Sequence, residues 1–224
     1  MHHHYEVLKR NHIFDDMTVD DLRSMGECFK PKTLYFHKGD LVFSEGEIFK
    51  NIAIVVTGII NIYKEDADGN RVIIEQAEPG AILDESITVK KDYKVNVCAE
   101  VSVDSEVIAV PFDKLVTVCK GRCPFHVKLL SNVVRLIASN HNTLTLKVDY
   151  LSKKSIRHKL LSFFKFQVEK YKNKEFDITF DRKELSEFLF VDRSALSREL
   201  GRMQRDKIIE FHKNHFKILK ENAL

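Results

Sequence analysis

Six side chains within a 13-residue stretch, Arg193, Ser194, Ser197, Arg198, Arg202 and Arg205, are of the types that grip a polyanion and read base edges. The planar fork of arginine matches O6 and N7 of guanine and also binds phosphate, while a serine hydroxyl can serve at either place. At about 100° per residue, Ser194, Arg198 and Arg205 fall on one side of a helix, and Leu196, Leu200 and Met203 fall on the other. One side packs and the other is free to bind. The competing reading, an ordinary surface helix with solvated charges, fits the same residues.

The neighbouring segments are those needed to present such a helix. Asp181 and Glu184 form a capping box, and Leu185, Phe188 and Leu189 give the helix they start one apolar face. Phe190 and Val191 make the turn, and Asp192 is placed to cap the second helix. Downstream, Ile208 to Leu219 reads as two short β-branched and aromatic strands about Lys213 and Asn214, a β-hairpin of the kind that forms the wing of a winged helix. Upstream, Lys153 to Tyr171 is a helix apolar at Ile156, Leu160, Leu161, Phe164 and Val168, the floor of the same domain. Charge agrees. Residues 151–224 hold 18 Lys and Arg against 11 Asp and Glu, a net +7, whereas residues 1–150 hold 18 against 22, a net −4. A localised positive field is what binding of phosphates by counterion release requires.

A chain of 224 residues is too long for one winged helix and suits two domains. Its 44% hydrophobic content, with 4 prolines and 8 glycines, is globular. No apolar run reaches the roughly 18 residues of a spanning helix, and no basic-then-apolar leader opens the chain, so the expectation is a cytoplasmic protein without membrane contact. The opening Met1-His2-His3-His4 carries no functional weight.

From Thr33 to about Val110 the pattern has period two, in short alternating strands. Gly39, Gly46, Gly58, Gly69 and Gly80 punctuate it at intervals of 7, 12, 11 and 11 residues, the spacing of a compact all-β sandwich or barrel, and Asp68-Gly69 is a hairpin signal. Neither a phosphate-cradling glycine loop, a His-x-Glu zinc pattern nor a serine nucleophile elbow occurs, so no enzyme is expected.

Between the two regions, Phe125 to about Leu151 lacks Gly and Pro. Leu130, Val133, Ile137, Asn140, Leu144, Lys147 and Leu151 step by three and four, a coiled-coil register with Asn140 and Lys147 as polar interruptions, along which two copies would zip. The alternative is a single amphipathic helix lying on the β domain, because Leu129, Val134 and Leu136 widen the apolar face. A homodimer is the expectation, since helix-turn-helix dimers need a two-fold axis to read paired half-sites.

In this order of parts the chain resembles the cyclic-AMP receptor protein and fumarate-nitrate regulator family of bacterial transcription factors. The resemblance spans nearly the whole length. Lys38-Gly39-Asp40, Phe43-Ser44-Glu45-Gly46, Val55-Val56-Thr57-Gly58, Asp68-Gly69-Asn70, Pro79-Gly80 and Arg193-Ser194-Ala195-Leu196-Ser197-Arg198 carry it. It implies an α+β protein: an N-terminal β-roll sensor of the cyclic-nucleotide-binding, jelly-roll type (residues 1–124), a dimerisation helix (125–151) and a C-terminal winged helix-turn-helix (152–224). It also implies a palindromic operator and contact with RNA polymerase. Arg193 and Arg198 match the family's phosphate- and guanine-contacting arginines. Ser194 stands where many members carry a base-reading glutamate; it cannot reproduce carboxylate acceptance from cytosine N4, which implies an altered operator.

The sensor departs further from the family. Cyclic-nucleotide members use a Gly-Glu-Leu turn and an Arg-Ser pair, where this chain has Asp84-Glu85-Ser86, after Leu83, and Tyr93-Lys94. The cationic fork for a cyclic phosphate is missing, so the effector pocket, placed at Leu83, Asp84, Glu85, Tyr93 and Lys94, is expected not to take cyclic AMP. Lys94 lacks the bidentate geometry of arginine. The four cysteines, Cys28, Cys98, Cys119 and Cys123, do not form the tight N-terminal group of the iron-sulfur members. Redox sensing through Cys119, Cys123 and His126 is the weaker reading, neither an iron-sulfur cluster nor haem is indicated, and the effector is unassigned. The expectation is a homodimeric, effector- or redox-controlled DNA-binding regulator. The alternative is a ligand-binding or scaffolding module whose winged helix meets protein.

Overall fold

The computed structural model of the chain describes residues 6–9, 11–83, 94–117, 123 and 125–220, the side chains of residues 115–116 and 136–147 excepted. Two compact units are formed, one from Met1–Glu65 with Ile74–Asn140, the other from Asp66–Ile73 with His141–Leu224.

In the first unit, a 3-10 turn (His12–Phe14) leads into α1 (Val19–Phe29), which Thr18 and Asp21 open with a capping box. An antiparallel sheet follows, in which β1 (Lys32–Phe36), β6 (Cys98–Pro111), β3 (Asn51–Glu65) and β4 (Arg71–Ala77) lie side by side. The short β2 (Leu41–Phe43) pairs with β6, and β5 (Ile82–Leu83) with β3. Alternation explains why β3 is apolar almost throughout. Ile52, Ile54 and Val56 point into a core shared with α1, while Ala53 and Val55 point into a second core with Leu83, Val97, Ala99 and Val101.

The β3–β6 register slips between Val55 and Ile60, and Gly58 sits in this irregularity at φ +83°. A Cβ there would collide with Ser105 Oγ and the Asp104 carbonyl and approach Ser105 Cα to 2.7 Å. The β6 strand runs unbroken from Cys98 to Pro111, because the long partner β3 supplies hydrogen bonds along it. Beyond β6 come α2 (Phe112–Val116) and the 28-residue α3 (Phe125–Ser152).

The second unit holds the last part of α3, then α4 (Ile156–Tyr171), β7 (Glu175–Asp177), α5 (Arg182–Leu189), α6 (Arg193–Arg205), β8 (Ile209–His212) and β9 (His215–Ile218). The last two strands are the expected hairpin, and β7 adds a third strand beside β9. On α4 the fully buried residues are Leu160, Phe163, Phe164 and Gln167, whereas Ile156, Leu161 and Val168 are half-buried. The face is therefore rotated from the one read in the sequence. An aromatic cluster sets it, with Phe163 against Phe180 and Phe188 and Phe164 against Phe176 and Phe216. Among the described residues, no helix is long and apolar enough to cross a membrane.

Candidate nucleic-acid interface

The turn between α5 and α6 is built by reciprocal caps. Glu184 N donates to Asp181 Oδ1 and Asp181 N to Glu184 Oε2, both at 2.8 Å, so both ends of the capping box are made. Phe190 closes α5 in the left-handed region, φ 51°, and Lys159 Nζ donates to the carbonyls of Leu189 and Phe190 at 3.0 and 3.3 Å. The ammonium thus satisfies carbonyls that the end of the helix leaves without partners. Asp192 then starts α6, its Oδ1 accepting from Ala195 N at 2.8 Å and from Ser194 Oγ at 2.6 Å. These two bonds, the Ser194 hydroxyl first, hold the Asp192 carboxyl below the usual carboxylate range.

Leu196, Leu200 and Met203 are fully buried, and Arg193, Ser194, Ser197, Arg198, Arg202 and Arg205 are all exposed. The six are not equally available. Ser194 is engaged with Asp192, Ser197 Oγ donates to the Arg193 carbonyl at 3.0 Å, and Arg202 Nη1 lies 3.4 Å from Glu199 Oε2. Among the described residues, Arg193, Arg198 and Arg205 make no side-chain hydrogen bond or ion pair. Gly201 shares the line of Ser194, Arg198 and Arg205 at helical spacing and offers no side chain to hold a groove away.

Residues that the sequence did not single out frame this helix. Arg157 spans it from α4, with Nε 2.5 Å from Glu199 and Nη2 2.8 Å from Asp206. Arg182, the first residue of α5, lies over the rings of Phe211 and Phe216 at 5.4 and 5.8 Å and donates to the Lys213 carbonyl at 3.0 Å. It ties the wing tip, where Lys213 has φ 52°, to the helix pair. Burial, then the charge of Arg193, pushes the Arg182 pKa down. Arg182, His212, Lys213 and His215 line one open depression with Asp177 and Asn214. Spacing alone could not place Arg182 here, because the wing lies some thirty residues away in sequence.

The other proposed sites are placed unevenly. On α3, Val133 packs against the core of the first unit, Leu130 is half-buried, and Val127 and Val134 are 74% and 68% exposed. The side chains of Ile137, Asn140, Leu144 and Lys147 lie outside the described residues, while Val148 is 66% exposed and Leu151 partly so. Of the effector positions, Leu83 is fully buried in the interior of the rolled sheet and Lys94 is exposed, bridged to Ile48. Asp84, Glu85 and Tyr93 lie outside the described residues, as does Cys119. Cys123 lies just before α3 and His126 in its first turn, the His126 backbone N–H donating to the Cys123 carbonyl at 3.1 Å. No group of three or more potential metal ligands occurs among the described residues.

Two family profiles match the chain, "Cyclic nucleotide-binding domain" over residues 33–122 and "Crp-like helix-turn-helix domain" over residues 156–224. Electron transport regulator A of Shewanella oneidensis is 24% identical over 212 residues, covering 92% of this chain and 80% of that protein. The fumarate and nitrate reduction regulatory protein of Yersinia pestis is also 24% identical, over 92% of this chain and 80% of its own length. Among solved structures, FixK2 of Bradyrhizobium japonicum superposes with a TM-score of 0.68 at 17% identity, over 86% of this chain and 94% of that one. The c-di-GMP-responsive regulator CLP of Xanthomonas campestris does so at 0.74 and 12%, over 91% of this chain and 100% of that one.

Proposed function

The chain belongs to the cyclic-AMP receptor protein and fumarate-nitrate regulator family of transcriptional regulators, and on that premise we propose that it acts as a homodimer reading a palindromic operator with α6. The observation that carries the reading is the exposed, unpaired trio Arg193, Arg198 and Arg205 opposite the buried Leu196, Leu200 and Met203. Arg193 and Arg198 supply phosphate and guanine contacts, and Arg182 with Lys213 extends the positive surface onto the wing. Because the Ser194 hydroxyl is taken up by Asp192, Ser194 reads no base as a glutamate would, and the half-site differs from that of glutamate-bearing relatives.

The two-fold axis runs along α3. Positions 127, 134, 141 and 148, and 130, 137, 144 and 151, form two interleaved heptad series, largely β-branched in the first and leucine-rich in the second. That is the preference of a parallel two-stranded coiled coil. The exposure of Val127, Val134 and Val148 supports this register over the one through Val133, which the first unit's own core occupies. Contact with RNA polymerase and a cytoplasmic site of action complete the reading.

Selection from a random DNA pool, followed by titration of the recovered site, tests it. The expected product is a palindrome with half-sites about 10 base pairs apart centre to centre. Arg193→Ala and Arg198→Ala each lower affinity by about 1–3 kcal/mol with unchanged folding. Unchanged operator affinity in the double variant would overturn DNA reading by α6.

A further inference from the structure

The first unit contains a cavity of about 150 Å³ between α1 and the sheet, apart from the rolled-sheet interior that holds Leu83. Leu22, Met25 and Phe29 of α1 form one wall, and Ile54 and Ile108 of the sheet face them. Every lining residue is non-polar. Gly26 lies at the exposed rim, where a Cβ would meet nothing within 4 Å, so among the described residues no side chain covers the mouth on that side. An apolar lining forgoes dispersion contacts when it is unfilled, and an enclosed apolar cavity of about this size is known to take up benzene.

The wall of this cavity is also the clamp on α3. Phe29 meets Phe125 edge-on at 5.7 Å and His126 at 5.5 Å, the first two residues of α3. His126 is 99% buried, and neither ring nitrogen has a hydrogen-bond partner among the described residues. Lys128 Nζ lies 3.0 Å from Asp21 Oδ2 on the same α1, and Asn132 Nδ2 donates to the carbonyls of Ile13 and Asp15 at 3.2 and 2.8 Å. Lys114 Nζ holds the Phe29 carbonyl at 3.1 Å. A displacement of α1 away from the sheet is thereby delivered to the opening two turns of α3.

We propose that this cavity is a binding site for a compact, uncharged apolar molecule of about the size of benzene, and that its occupancy acts through Phe29 on α3. The walls offer no group to an ionised or strongly polar ligand, so the chemistry selected is aromatic or short aliphatic hydrocarbon. Transmission to DNA rests on the regulator reading above, whereas the site itself does not.

The test uses the full chain labelled at methionine methyl groups and titrated with benzene. The Met25 signal shifts saturably while that of Met203, buried in the other unit, stays fixed, and Val110→Phe, which fills the cavity from the sheet side, abolishes the shift. Absence of a saturable Met25 shift in the wild type overturns the site, whether or not Val110→Phe folds. Binding that appears only after removal of residues 1–5 would assign the cavity to the chain's own start and likewise overturn it. In parallel, benzene at saturation changes operator affinity roughly fivefold or more. A Met25 shift with unchanged operator affinity overturns the coupling alone, and failure of the protein to bind any operator refutes the regulator reading without touching the site.

Discussion

At the scale of single residues, two side chains carry consequences that can be measured directly. His215 on β9 is held by two carboxylates of β7, its Nδ1 3.0 Å from Asp177 Oδ1 and its Nε2 3.1 Å from Glu175 Oε1. Asp177 first and then Glu175 raise its pKa above the ordinary histidine value. A raised folded value means that the pair stabilises the wing below pH about 6.5 and that this contribution is lost as pH rises through the folded pKa. NMR titration is expected to show His215 titrating above 6.5 and returning toward it in Asp177→Asn. The Tyr150 pKa is raised as well, but by burial rather than by partners. Burial, with Asp149 and Glu169 adding to it, pushes its phenol upward, and the hydroxyl has no hydrogen-bond partner among the described residues while its ring packs on Phe166 and Phe188. Tyr150→Phe is therefore expected to leave stability unchanged or to raise it by up to about 1 kcal/mol in denaturant titration.

At the scale of elements, the irregular β3–β6 pairing and the helix-turn-helix illustrate different kinds of constraint. Gly58 is required twice over, by its φ of +83° and by the Asp104–Ser105 backbone against which any Cβ would press. Gly58→Ala is expected to cost roughly 3 kcal/mol or more in equilibrium unfolding, since strain and a backbone clash coincide. The helix-turn-helix was largely legible, because its caps are local. Asp181 with Glu184, and Asp192 with Ala195, bond residues only three apart, and the apolar positions of α6 repeat at helical spacing. The burial of Phe163 and Gln167 on α4 was not legible, because it answers to Phe180, Phe188 and the wing, all brought in from elsewhere in the chain. The α1 helix has a local signal of the same kind, the Thr18–Asp21 capping box.

At the scale of the whole molecule, the α3 register decides assembly in the proposed homodimer. Val134→Glu is expected to convert the dimer to a monomer in light scattering and to lower operator affinity about a hundredfold or more, since simultaneous engagement of two half-sites is lost. Lys147→Glu, outside the proposed seam, should change neither by a comparable amount. Calorimetric titration with cyclic AMP is expected to show no binding, because the Arg-Ser pair of the nucleotide-binding relatives is replaced by Tyr93-Lys94. A salt titration of the operator complex is expected to have a slope smaller by about one for each phosphate-contacting arginine removed.

The sequence by itself determined the succession of parts: a period-two β region, a long helix without glycine or proline, two capped helices and a basic hairpin. Each depends on contacts between residues close in the chain, or on a net charge that needs no geometry. Tertiary structure decided which face each part shows. Val133 turned inward because the N-terminal segment and α1 cover that side of α3, which leaves Val127 and Val134 outward. Arg182 reached the wing because Phe211 and Phe216 offer it their rings, and the cavity beside Phe29 exists because α1 and the sheet do not close completely over one another. Periodicity specifies that a helix has an apolar face, but the partner that buries it is fixed only when segments distant in sequence are packed together.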